Sequence, residues 1–168
     1  MKLFDWRKGL FAVLISVALM VTGCQPKPPS QFAATQESSS KSGAVAVAKV
    51  ATQGGEFNKF FPTPGAGYER VYTQEKKGFA EAKLKKDGKE LAMLAISDTR
   101  SNPTAAAAFK GSKLTIDGYP SRNLGTTQTS VLVGNYQVKV ISRDALFTQD
   151  DRQIWLKKFN LKGLEGLK

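Results

Sequence analysis

The stretch Phe79-Ala80-Glu81-Ala82-Lys83-Leu84-Lys85-Lys86-Asp87-Gly88-Lys89-Glu90-Leu91-Ala92-Met93-Leu94-Ala95-Ile96-Ser97 decides the fold. Up to Lys85 the side chains alternate, so Ala80, Ala82 and Leu84 would face one side of a strand and Phe79, Glu81, Lys83 and Lys85 the other. Asp87-Gly88 is a favoured two-residue hairpin pair, because both positions accept the positive φ that such turns require. From Glu90 the chain runs apolar through Leu91, Met93, Leu94 and Ile96, which reads as a second strand. The two strands predict an antiparallel sheet.

Upstream, residues 69–74 carry Val71 and Tyr72, and Lys76-Lys77-Gly78 turns them into the hairpin, giving a three-stranded meander. Downstream, residues 113–116 form a brief strand before the turn Asp117-Gly118-Tyr119-Pro120, and residues 127–133 and 136–143 form a hairpin about Gly134-Asn135. In its second strand Tyr136, Val138 and Val140 share one face and Gln137, Lys139, Ile141 and Arg143 the other. Phe57, Phe60 and Phe61 at helical spacing predict a short helix stopped by Pro62. Asn102-Pro103 reads as an N-cap with proline in the first turn, opening an alanine-rich helix that Gly111 ends. Thr148 with Asp151 marks a third helix, with Ile154, Trp155 and Phe159 as its apolar contacts and a loosely packed tail of Leu161, Leu164 and Leu167. The expectation is an α+β domain over residues 56–168, an antiparallel sheet of about five to six strands with short helices packed on it.

Ahead of this domain, Lys2, Arg7 and Lys8 precede an apolar run from Leu10 to Val21, which ends in Val21-Thr22-Gly23-Cys24. The run falls short of the about 20 residues that a spanning helix needs. The arrangement resembles the lipobox of a bacterial lipoprotein precursor. That resemblance implies a signal peptide over residues 1–23, cleavage between Gly23 and Cys24, and acylation of the Cys24 thiol. It also implies attachment to the periplasmic or extracytoplasmic face of a membrane, with Gln25, which is not aspartate, leaning toward the outer membrane. Residues 24–55 then read as a flexible tether, opening with Pro26, Pro28 and Pro29, passing Ser38-Ser39-Ser40 and ending at Gly54-Gly55. A flexible segment of that length spans roughly 30 Å. In order of elements, residues 56–168 are similar to the PsbP-like photosystem proteins, some of whose bacterial members are lipoproteins, which implies an assembly role.

The 168-residue chain has no histidine and one cysteine. Intradomain disulfides, Cys/His metal sites, Cys–His nucleophiles and a Ser–His–Asp triad are therefore excluded. We expect no metal site, no cofactor and no catalytic residues. Removing residues 1–23 takes three of the 25 bases and one of the 14 acids, leaving 22 and 13, a formal charge of +9. Outside the cytoplasm such a charge favours anionic headgroups, acidic proteins or envelope polymers over nucleic acid. Lys83 and Lys85 in the first hairpin, with Lys139 and Arg143 in the last, would form a basic face if both hairpins share a sheet. Arg100 in the polar loop Ser97-Asp98-Thr99-Arg100-Ser101-Asn102 is a further anion-binding candidate. Three functions follow as expectations. The first is a non-enzymatic binding or assembly module with an envelope protein partner; the others are a basic-face binder of anionic lipid or polymer and a small envelope enzyme using Ser, Lys or carboxylates.

Overall fold

Seven antiparallel strands form a single open sheet in the computed structural model, which describes residues 48–167. The residues expected to form the export signal, Gly23, Cys24 and most of the expected tether lie outside the described residues. The strands are β1 (Tyr68–Lys76), β2 (Phe79–Lys86), β3 (Lys89–Asp98), β4 (Leu114–Ile116), β5 (Tyr119–Leu124), β6 (Gln128–Val133) and β7 (Tyr136–Ser142). Their spatial order is β1-β2-β3-β7-β6-β5-β4, so two meanders meet where β3 pairs with β7. Each meander is stitched by tight turns. Asp87 and Asp117 adopt φ of 51° and 49°, each followed by a glycine at positive φ. Aspartate tolerates that region because its short side chain bonds locally.

The count is seven rather than five to six because β5 follows a turn that reads as irregular. Tyr119-Pro120 begins the strand instead of ending the turn, and Ser121-Arg122-Asn123 has no apolar alternation to announce it. Pro120 is tolerated there although β5 is flanked by β4 and β6. Facing Thr115 at the start of the strand, it lies beside the three-residue β4, and prolines in sheets sit at strand starts and near edges.

One face of the sheet carries the core. Ala80, Ala82, Leu84, Leu94, Ile96, Val131, Val138 and Val140 are buried there beneath helices and aromatic side chains. The trio Phe57, Phe60 and Phe61 lies in and just after a 3-10 helix, Gly54–Phe60, and Phe61 meets Tyr72 and Phe159 at ring distances of 5.4 and 5.3 Å. Helix α1 (Pro103–Ala107) follows Asn102, which occupies the cap position without a side-chain bond, while α2 (Gln149–Lys157) starts on the complete Thr148/Asp151 capping box. Helix α3 (Leu161–Glu165) corrects the loosely packed tail: Leu161 and Leu164 are buried in the core. Along α2, Trp155 and Leu156 face inward and Ile154 is exposed, and Phe159, just past its end, is buried as well. No helix among the described residues is long and apolar enough to cross a membrane.

The end of the tether is also corrected. Residues 51 and 52 are buried, the Thr52 carbonyl accepts from the Gly78 amide at 2.6 Å, and Thr52 N–H donates to Asp98 at 3.0 Å. Gly54 sits so close to β1 and β2 that a Cβ would lie 2.5–2.7 Å from backbone atoms of Lys76 and Phe79. Residues 51–55 are thus a strap belonging to the domain. Gly54, which reads as linker composition, is here a requirement of close packing, while Gly55 beside it has open space.

Candidate functional site

The loop after β3 is organised by Asp98. Its carboxylate is fully buried and accepts from Arg100 Nη2 at 2.6 Å, from Arg100 Nε at 2.9 Å and from the Arg100 amide at 3.0 Å. Burial pushes this carboxyl up, but the Arg100 guanidinium and the Thr52 and Arg100 amides outweigh it and hold the group below its ordinary range. Arg100 Nη2 also donates to Thr52 Oγ1 at 3.0 Å and to the Tyr136 hydroxyl at 3.1 Å. The Tyr136 O–H donates in turn to the Leu167 carbonyl, so the Thr52 hydroxyl must donate to Tyr136. Arg100 therefore does not stand in an open anion pocket: its charge is matched by Asp98 and its donors tie three segments together.

Lys83, Lys85 and Lys139 lie on the sheet face opposite the core and Arg143 just past the end of β7, and the four divide into two groups. Lys83 Nζ lies 2.7 Å from Glu90, Arg143 Nε lies 3.9 Å from the same carboxylate, and Lys85 faces Glu90 in the β2/β3 register. Glu90 thus gathers this end of the face into a mixed-charge cluster, which is weakly attractive to anions in salt. Lys139 lies elsewhere. It faces Ala95 on one side and Ser130 on the other, and Ser130 faces Arg122, so Arg122, Ser130 and Lys139 form one cross-strand row. Ala105 and Ala108, in and just after α1, border a pocket above this row. Burial pulls the Lys139 ammonium below its ordinary range, opposed by Glu81. Sequence reasoning found Lys139 but missed Arg122 and Ser130, because β5 went unread and with it the register that aligns them.

On the core side, Arg152 is 1% exposed. Its Nε donates to Thr129 Oγ1 at 3.0 Å and its Nη1 to Ser142 Oγ at 2.8 Å, while Nη2 is buried without a partner. No carboxylate among the described residues pairs with it within 4.0 Å. Burial lowers its pKa and Asp151 opposes that shift. This guanidinium is held by two hydroxyls inside the core and has no opening to a ligand-sized pocket among those described.

Comparison with protein-family models, curated proteins and solved structures finds no match. What the chain offers chemically is therefore read from its own residues. Among the described residues no three or more Cys, Asp or Glu side chains converge as metal ligands. On the outer sheet face the row of cation, hydroxyl and cation borders the pocket beneath Ala105 and Ala108.

Proposed function

We propose that this protein is a lipid-anchored protein of the bacterial cell envelope whose folded domain acts as a non-enzymatic binding or assembly module. The observation that carries the reading is the run Val21-Thr22-Gly23-Cys24 behind a basic and then apolar N-terminus. Two acyl chains on Cys24 would give durable anchoring, whereas a single chain gives marginal attachment. The domain supports the binding role through a sheet that covers one face with helices and leaves much of the other to solvent or a partner. The similarity in element order to PsbP-like proteins points the same way, toward a role in assembling an envelope complex. A second reading, in which the domain recognises an anion, is favoured by the outer-face row of Arg122, Ser130 and Lys139.

The test begins with fatty-acid labelling of the chain in a bacterial host. Wild-type protein should incorporate the label and lose residues 1–23, and Cys24→Ala should keep the signal and incorporate none. Normal labelling of the Cys24→Ala chain refutes the anchor. Crosslinking in native membranes at low and high salt then separates the two roles. A stoichiometric protein partner that survives salt supports the assembly module, and contacts that vanish in salt support the anion reading.

A further inference from the structure

We propose that the pocket bounded by α1 and the outer face of β5, β6 and β7 is a binding site for a phosphate group. The site lies within the folded domain and stands whether or not Cys24 is acylated. Its floor is the row Arg122, Ser130, Lys139, three residues facing one another across adjacent strands. Directly opposed side chains in such pairs have Cβ atoms about 4.5–5.5 Å apart, and Arg122 and Lys139 both line the pocket with Ser130, the Lys139 Nζ lying on its β3 side, toward Phe79. The pocket holds about 340 Å³, enough for a phosphate and part of the molecule that bears it.

Three observations point to an anion there. Ser130 is 1% exposed, lines the pocket, and its Oγ has no hydrogen-bond partner. A buried hydroxyl without a partner is costly, and here a ligand oxygen would satisfy it. Lys139 forms no hydrogen bond or ion pair with another described residue, its Nζ lying only over the Phe79 ring at 5.9 Å. Burial lowers its pKa, as for an ammonium stripped of water, against the opposing pull of Glu81. Arg122 spends one N–H on the Ala108 carbonyl at 3.1 Å and stacks 6.0 Å from the Phe109 ring, which fixes the guanidinium and leaves other donors of its fork. No acid lines the pocket. Glu81, the acid of the same row, lies beyond Ala95.

The donor set favours phosphate over carboxylate. A carboxylate brings one charge, whereas a phosphate dianion brings two and enough oxygens for the Arg122 fork, the Lys139 ammonium and the Ser130 hydroxyl together. Gln128 and Gln137 in the neighbouring rows add amide donors, and Leu124 offers an apolar flank to whatever the phosphate is attached to. The phosphate can be free or the headgroup of a lipid.

The test is calorimetric titration of the full chain in detergent with inorganic phosphate and with dihexanoyl phosphatidate, using phosphate-free dihexanoylglycerol as the blank. We expect saturable one-to-one binding of phosphate or phosphatidate, weakened about tenfold or more in Arg122→Gln and in Lys139→Gln. Lys157→Gln, on the exposed side of α2, should bind as wild type. Ser130→Ala deletes only the unpartnered oxygen, so it should weaken binding severalfold while its urea midpoint holds or rises, an outcome that a purely structural serine would not give. Equal affinity for both probes identifies a free phosphate as sufficient, and much tighter binding of phosphatidate identifies the lipid headgroup. Absence of binding to either probe, or binding that the Arg122, Ser130 and Lys139 variants leave unchanged, overturns the proposal.

Discussion

Replacing Arg152 by methionine should leave the domain as stable as before or stabilise it by about 1 kcal/mol, because a buried charge without a carboxylate gives way to apolar volume of similar size. The two hydroxyls it releases keep other bonds: Thr129 donates to Asn123 Oδ1 and Ser142 donates to the Phe147 carbonyl. Arg152→Ala, by contrast, opens a cavity beside them and should cost about 2–4 kcal/mol, read from urea midpoints of both variants. A second pair of neighbours separates packing from composition. Gly54→Ala should destabilise by about 1–3 kcal/mol, because its Cβ would meet backbone rather than a yielding side chain. Gly55→Ala meets nothing within 4 Å and should melt within a few degrees of wild type. Neither Arg152 nor Gly54 was legible. Arg152 shares helical spacing with Trp155, Leu156 and Phe159, but charge patterning assigns arginine to solvent, and a Gly-Gly pair before a helix looks like linker whether or not a strand backbone lies against it.

At the level of elements, the junction after β3 should govern acid sensitivity. Asp98 has its pKa depressed in the folded state, so its contribution is complete above the unfolded carboxylate pKa of about 3.9 and is lost as pH falls through the folded value. Asp98→Asn should cost roughly 3 kcal/mol at pH 7, toward the low end for a broken buried pair because Arg100 retains some exposure. Its stability should then fall less steeply than that of wild type between about pH 5 and pH 2, as urea titrations at several pH values will show. A parallel acid limb in the variant would mean that other carboxylates dominate. The hairpins were the most legible elements, since Asp87-Gly88 and Gly134-Asn135 encode their turns locally and the flanking alternation sets the faces. β5 was hidden because polar residues can occupy a strand when both neighbours supply the ladder, a tertiary effect that periodicity does not record.

For the molecule as a whole, the strap makes the sequence-based boundary at residue 56 too late. A chain beginning at residue 56 loses the Thr52 bonds to Asp98, Gly78 and Tyr136 and the buried Ala51. It should be less stable than one beginning at residue 48 by at least about 3 kcal/mol, at about one for each lost bond, by equilibrium urea unfolding. The outer face shows the same limit of a one-dimensional reading. Alternation alone puts Lys83 with Lys85 and Lys139 with Arg143, but whether the two pairs share a face, and which acid each meets, depended on strand order, and order came from the β3/β7 pairing that joins the two meanders. Composition and alternation carry faces; they do not carry neighbours across a sheet.

The hydroxyl of Tyr136 touches both Thr52, in the first described residues, and Leu167, the last of them. The path of the backbone from strap to C-terminal helix is consequently almost a ring. Joining residue 167 to residue 48 through a short glycine-rich bridge and reopening the chain at the exposed Gly125 turn should yield a circular permutant with the same sheet. In such a rearranged chain a fused tag would leave the domain at the Gly125 turn instead of at the strap, so that the point of attachment becomes an experimental variable.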